Sequence, residues 1–442
     1  MRIAPASIIA VVAVLSLDGV SQMRAATAPA KPIALVGGTL IDGTGGALVR
    51  NSVVLLRQER IEKIGTITTL PVPQGYERVS TEGMTVLPGL WDPHVHLIYA
   101  NYPNLQEYLK KYGSQLDTIM PAMAEQFLLS GVTSIRDLGA PLNVLNVKKR
   151  IERGEIPGPT IYAAGPFLTT AGFGPHSVVV TNEADAGAAT RRLLDAGVDI
   201  IKFVNADQLK PGVARAIVLE AHARGKKATA HGRSDAEIRV CLDADVDELQ
   251  HIGYGSPEYP ADIVEAIRRR ISSGRPLSWS PTVGTQLDAD ELMADREFLD
   301  DPRNFRGLSP LIAADVHRAI DALSPRPGRA DTKKIVDRKM AQLRELGVDL
   351  VFGSDEGTFG ASAAQATARE LDVWVRDLGF DRMTAIRKAT LDAARHVGAD
   401  RDSGSIAVGK FADVIAVPGN PLRHIDVVAN PAIVIKHGRR YK

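Results

Sequence analysis

One cysteine, Cys241, occurs in 442 residues, which excludes an intrachain disulfide and leaves no thiol near the N-terminus to accept a lipid. An excess of one charge is also missing: 53 Lys and Arg stand against 52 Asp and Glu, a formal net charge of +1. No long basic run compensates, so neither nucleic acid nor an anionic membrane surface is an expected partner. The apolar run Ile8 to Leu17 is shorter than the ~20 residues that cross a bilayer. A serine triad lacks its Gly-x-Ser-x-Gly elbow. Cys241 lies between "EIRV" and "LDAD" in helix-like surroundings, a poor setting for a nucleophile. The pairs Gly37-Gly38 and Gly45-Gly46 lack the strand and helix context of a phosphate loop. No internal repeat or low-complexity tract is present.

What remains is an ordinary globular composition, 45% hydrophobic and 24% charged, able to bury a substantial core. A small-molecule partner is expected, and homo-oligomerisation is compatible with it. Arg2, the apolar run and the small residues of "MRAATAPA" follow one another in the layout of a secretory signal peptide. Residues 1–26 are therefore read as a leader. The protein is expected to be exported, periplasmic or secreted, with no membrane attachment after cleavage.

Residues 27–83 carry short alternating runs such as "IALVGGTLIDGTG" and "SVVLLRQERIEKIG", the mark of a small β-rich unit. From 84 to 402, β-like runs alternate with helical patterns such as Glu183 to Ala196 and Pro211 to Arg224. The runs are "MTVLPGLWD", "VTSIRDL", "TIYAAG", "DIIKFV", "KATAH", "DELQH", "LSWSPT" and "DLVFGSD". Eight of them predict an α/β fold, a (β/α)8 TIM-type barrel. The charged, proline-containing segment Val283 to Lys339 is expected to cap its mouth. Residues 403–442 return to β character in "GSIAVGKFADVIAVPGNP" and "AIVIKHGRRYK", so both chain ends are expected to build one small β-sandwich-like domain.

A barrel of this kind places its working groups at the C-terminal ends of the strands, and the conspicuous polar residues fall there. His94 and His96 end the first run, and the period of two puts both rings on one face. They are either a histidine-bearing strand or two ligands of one divalent cation. Lys202 sits inside "DIIKFV", where an ammonium is expensive to bury. Either its stem is buried and its head reaches out, or its amine has reacted with CO2 to give a carbamate that bridges two cations as a carboxylate does. His231 closes "KKATAH" and His251 closes "DELQH". Asp355 closes "DLVFGSD", where it fits a helix cap equally well. Each has a plain structural explanation alone; together they point to a metal centre.

The ordered set, with "GVTSIRDLG", "AGVDIIKF", "KATAHGRS" and "GSIAVGKFADVIAV", resembles the amidohydrolase superfamily over most of the chain beyond the leader. Within it, the sequence looks like the imidazolonepropionase-like and Xaa-Pro dipeptidase-like branch, of metal-dependent carboxypeptidase type. The resemblance implies two divalent cations, zinc being the first choice. His94, His96 and Asp355 would hold the more buried one and His231 and His251 the second, with carbamylated Lys202 between them. It further implies attack on an amide by a hydroxide shared by the cations, with Asp355 as the catalytic acid-base group. Candidate substrate contacts are His176, Tyr254, Arg136 and Arg233. Two departures stand out: "TTAGFGPHSVV" replaces a Gly-Gly-His-Gly type loop, and Gln250-His251 replaces Glu-His. Arg136, next to Asp137, also fits a structural ion pair.

The expected activity is hydrolysis of dipeptides or N-acyl amino acids with a free carboxylate, aryl-acyl amino acids such as ochratoxin A being a special case. Two alternatives are a cyclic amide or lactone hydrolase and, in another class, a binding protein on the same scaffold.

Overall fold

Gly89 divides the first expected barrel run into two strands that serve different sheets. The computed structural model describes residues 31–287, 295, 299–323, 329–357 and 362–442; the expected leader at 1–26 and part of segment 283–339 lie outside them. Met84–Pro88 pairs antiparallel with Val414–Pro418, Leu87 facing Ile415, and parallel with Thr39–Leu40. Leu90–Val95, here β1, instead pairs parallel with Val132–Asp137, β2. At the crossing the Gly89 amide donates to the Asp413 carbonyl and the Leu90 amide to the Gly131 carbonyl, each at 2.9 Å. A Cβ on residue 89 would lie 2.1 Å from Thr133 Oγ1, so only glycine fits this close approach. Residues 84–88, expected in the barrel, thus belong to the small β unit.

That unit draws on both ends of the chain. Its first sheet orders Arg60–Thr66, Ser52–Arg57, Ile33–Val36 and Glu77–Ser80; its second orders Arg439–Arg440, Ile433–Lys436, Val414–Pro418, Met84–Pro88 and Thr39–Leu40. Alternate residues of both, among them Leu35, Val54, Leu56, Val86, Val414 and Ile435, meet in one buried cluster, as period-two strands with one apolar face require.

The rest is parallel α/β. β1, β2 and Thr160–Ala163 (β3) form one three-stranded parallel sheet. Ile201–Phe203 (β4), Ala228–His231 (β5), Glu248–Gln250 (β6), Ser278–Ser280 (β7) and Asp349–Leu350 (β8) run parallel in a second, seven-stranded sheet. Its edge beyond β4 consists of two strands not anticipated from the sequence, Phe167–Thr169 and Ser177–Val179, which flank the loop containing His176. Between the two sheets, the Asp199 amide donates to the Ala163 carbonyl at 2.8 Å; at the other end the Asp355 amide donates to the His94 carbonyl at 2.8 Å and the His96 amide to the Glu356 carbonyl at 2.9 Å. β1, β2, β4, β6 and β7 are buried along their whole length, the pattern of parallel strands covered on both faces, whereas the edge strand Ser177–Val179 is not. Helices cover them: Glu183–Ala196 matches its expected bounds, and the second anticipated helix spans Val213–Ala223.

One helix positions the site. α1, Leu105–Tyr112, starts at Asn104, whose side chain accepts from the Glu107 amide, and carries Lys110 and Lys111 in its last turn, each end matched to the helix dipole. Tyr108 and Tyr112 anchor it in the core, leaving Leu105 and Leu109, four residues apart, on a shared face. Among the described residues no helix is long and apolar enough to cross a membrane.

Gly89→Ala is expected to lower stability by about 2 kcal/mol or more in denaturant titration, because Thr133 cannot retreat from a packed strand. Gly113→Ala, where a Cβ would meet nothing within 4 Å and the backbone is helical, is expected to be neutral or to stabilise by up to ~1 kcal/mol. Equal effects would contradict the close approach.

Candidate metal centre

His94 and His96 leave β1 on the same side, as the strand period demands, with ring centroids 5.4 Å apart. The Nε2 atom of each lies 3.3 Å from Asp355 Oδ1. Candidate ligand atoms of these three residues all fall within 4.8 Å of one another. From β6, His251 brings Nδ1 to 3.7 Å from Asp355 Oδ2, and its ring stands 5.3 Å from His94 and 4.7 Å from His231 at the end of β5. Lys202, fully buried on β4, pairs in register with Thr229 of the His231 strand.

Two of these residues sit in the left-handed region, Asp355 at φ 56° and His251 at φ 70°, at a cost of about 1–3 kcal/mol each. The surroundings hold them there. The His251 amide donates to the Ser280 carbonyl at 2.8 Å, and the indole N–H of fully buried Trp279 donates to the His251 carbonyl at 2.6 Å. Burying one indole is worth about 4 kcal/mol or more, enough to outweigh the strain next to it.

The chemistry of the donors decides what the cluster is for. Both ring nitrogens of His94, Nδ1 of His96 and His231, Nε2 of His251 and Nζ of Lys202 are buried without a hydrogen-bond partner. Each such atom costs about 1–3 kcal/mol if nothing takes its lone pair or proton. Burial also pushes the pKa values of His94, His231 and His251 well below the ordinary value, so these rings are neutral. Burial pushes Lys202 down to about 7, against the opposing pull of Asp355 and Glu248. For Asp355, burial acts upward, but the rings of His94, His96 and His251 hold its carboxyl below the usual range. Neutral imidazoles around a carboxylate are the donor set of a divalent cation, and the residues present fit one.

Beside the cluster lies a cavity of about 140 Å³. His96, His231 and Asp355 reach it, with His176 and Arg233; Leu105, Leu109, Phe167 and Phe173 form an apolar wall, and Gln106 and Asn205 add amides. His176 is buried, its Nε2 lies 2.9 Å from the Tyr99 hydroxyl, and burial with nearby His96 pushes it down to about 4. Sequence reasoning missed the apolar wall; the Leu105 and Leu109 spacing was its one local signal. α1 supplies three of the lining residues; the segment 283–339, expected to cap the mouth, lies partly outside the described residues.

Two candidate substrate contacts need correction. Arg136 is buried away from this cavity: its Nη2 donates to Glu248 Oε1 at 2.6 Å and its Nε to the Pro93 carbonyl at 2.7 Å. It is a structural ion pair, and with Glu248 instead of Asp137, because neighbours along a strand face opposite ways. Asp137 accepts from the amides of Leu97 and Gly139. Tyr254 is 52% exposed and is not part of the cavity wall.

The model of the amidohydrolase family matches residues 85–440. The chain belongs to the amidohydrolase family. Ochratoxinase from Aspergillus niger is 26% identical over 479 residues, spanning 97% of this chain and 90% of the relative. An imidazolonepropionase from Myxococcus xanthus is 25% identical over 423 residues, 88% and 89% of the two chains. Among solved structures, a Xaa-Pro dipeptidase with methionine bound in its active site superposes with a TM-score of 0.71 at 24% identity, covering 93% of this chain and all (100%) of that one. Family members of this kind are metal-dependent, in keeping with the His94, His96 and Asp355 group.

A pH dependence follows. The buried rings bind protons less readily than unfolded histidines, whose pKa is about 6.5, so stability of the cation-free protein rises with pH there and is lost as pH falls below about 6.5. Lys202 acts the same way in a higher window, from about pH 10 down to its folded value near 7. Thermal melts in chelator across pH 5–8 are expected to show this loss, flattened in His231→Asn and His251→Asn variants. An unchanged slope in both variants would contradict neutral burial.

Proposed function

We propose that the protein is an exported, metal-dependent hydrolase of the amide bond in dipeptides or N-acyl amino acids that keep a free carboxylate. The observation that carries this is the convergence of buried, unpartnered nitrogens on Asp355 beside a cavity that pairs an arginine with an apolar wall. On this reading the two parallel sheets are arcs of one (β/α)8 barrel, which the backbone bonds between the Asp355 and His94 segments favour. Export rests on the leader-like layout of residues 1–26.

His94, His96 and Asp355 would hold one cation, His231 and His251 a second, zinc being the first choice for this donor set. Lys202 would bridge them as a carbamate. Its depressed pKa leaves much of the amine neutral near pH 7, so the nitrogen can attack CO2, forming an N–C bond and releasing one proton. Divalent cations bound in this way lower the pKa of a water molecule and polarise a carbonyl oxygen.

The chain's own groups do the rest. Asp355 takes a proton from the attacking water and delivers it to the departing nitrogen, since an amide anion is too poor a leaving group to depart unprotonated. His176, steadied by Tyr99, faces the substrate as a neutral imidazole. Arg233, exposed at the cavity, pairs with the free carboxylate in the forked geometry that guanidinium favours. Leu105, Leu109, Phe167 and Phe173 take up an apolar side chain or aryl group. The relatives support both halves: one is named for ochratoxin, and the dipeptidase structure holds a free amino acid. Similarity to the imidazolonepropionase favours a second reading, in which the same groups open a cyclic amide.

Steady-state assays on N-acyl amino acids, their C-terminal amides and cyclic amides separate these readings. Acids are expected to exceed their amides in kcat/KM by about 10- to 100-fold, the worth of a charge-assisted contact, and Arg233→Met to erase the difference through KM. Equal turnover of acid and amide would sink the carboxylate reading; preference for the cyclic amide would favour the alternative.

A further inference from the structure

Glu370 lies outside the proposed catalytic set, yet it is almost fully buried on the helix Ala366–Arg376, α2, and both its oxygens are occupied. Oε1 accepts from the Val283 amide at 3.2 Å and from the Trp374 indole at 2.9 Å; Oε2 accepts from the Gly284 amide at 2.7 Å. The approach is so close that a Cβ on Gly284 would lie 2.5 Å from Oε2. Burial pushes Glu370 up to about 8, so a mostly neutral carboxyl group from a distant helix clamps two consecutive amides just beyond β7.

The residue before that clamp is Thr282. It is fully buried and has φ 46°, a left-handed conformation that a β-branched residue adopts only under constraint. Thr285 Oγ1 donates to its carbonyl at 3.1 Å, and the two clamped amides follow it directly. In this conformation Thr282 Oγ1 lies 2.9 Å from His251 Nδ1, while His251 Nε2 is buried without a hydrogen-bond partner. The Thr282 hydroxyl can accept from Nδ1–H or donate to a bare Nδ1; in the accepting arrangement Nε2 keeps its lone pair. The partner of one ring nitrogen thus fixes what the other can ligate.

We propose that Glu370 is a positioning residue for His251, acting through Thr282: it holds the 282–284 turn in its strained form, so that Thr282 orients the His251 ring and, by accepting from Nδ1–H, leaves Nε2 free for a cation. The proposal rests on the reading of His251 as a ligand and adds a second layer on α2 and the turn after β7. Trp374 belongs to the same chain of contacts, because its indole fixes the carboxyl group that fixes the turn.

The test is cation affinity by chelator competition with zinc alone, measured beside the melting temperature of the cation-free protein. Glu370→Gln and Thr282→Val are each expected to weaken zinc binding about 10- to 100-fold, with Thr282→Ser, which keeps the hydroxyl, at wild-type affinity. The double variant Glu370→Gln/Thr282→Val is expected to bind no more weakly than the worse single variant, because both changes break one path. Unchanged affinity in Thr282→Val, or fully additive losses in the double variant, would overturn the relay, as would a Glu370→Gln protein that only melts earlier. If Glu370→Gln does not fold, Thr282→Val against Thr282→Ser still decides the contact with His251, and Trp374→Phe tests the clamp by removing one donor. His251→Asn separates the two levels: zinc affinity unchanged in that variant would overturn the ligand reading itself, whereas loss there with no loss in Thr282→Val would overturn the relay alone.

Discussion

The hydrogen bond from the Asp355 amide to the His94 carbonyl joins the segment after β8 to β1, and the rest of the site depends on it. It brings the carboxylate of one segment within 3.3 Å of two imidazoles on the other. Neither segment alone contains a site. The pair becomes one only because parallel strands bring their C-terminal ends to the same side, where His231 and His251 also arrive.

This convergence costs stability. Unpartnered buried nitrogens and two residues in left-handed backbone each cost on the order of 1–3 kcal/mol, and a globular protein has only about 5–15 kcal/mol of net stability. The structure surrounds them with large buried groups and side-chain contacts that admit few alternatives: Trp279 on the His251 carbonyl, Thr282 on its ring, and Thr367 and the Ser354 amide on Asp92, two residues before His94. Burial pushes Asp92 up to about 6 despite those contacts. A cation that takes up the free lone pairs relieves part of the cost, so binding and folding are linked.

Much of this was legible in the sequence, and the exceptions share a cause. Local patterns carried the parallel α/β class, the small β unit from both chain ends and the positions of His94, His96, His251 and Asp355, because strand periodicity and polar residues at strand ends need no tertiary information. The division at Gly89 was hidden because Leu87 pairs with Ile415, more than three hundred residues away. Arg136 misled because its partner Glu248 lies on another strand while Asp137 lies next to it in sequence. The apolar wall joins α1 to Phe167 and Phe173, and the clamp joins α2 to the turn after β7. Such pairings are set by packing between distant segments, which no window of sequence contains.

The most direct measurement is metal content per chain by plasma mass spectrometry, after equilibration with zinc and removal of the free ion. Two equivalents are predicted for the wild type, falling in Lys202→Ala and recovering in part when a short carboxylic acid replaces the missing bridge. A wild-type chain that retains no cation would contradict the account, and full occupancy in Lys202→Ala would contradict the bridging role.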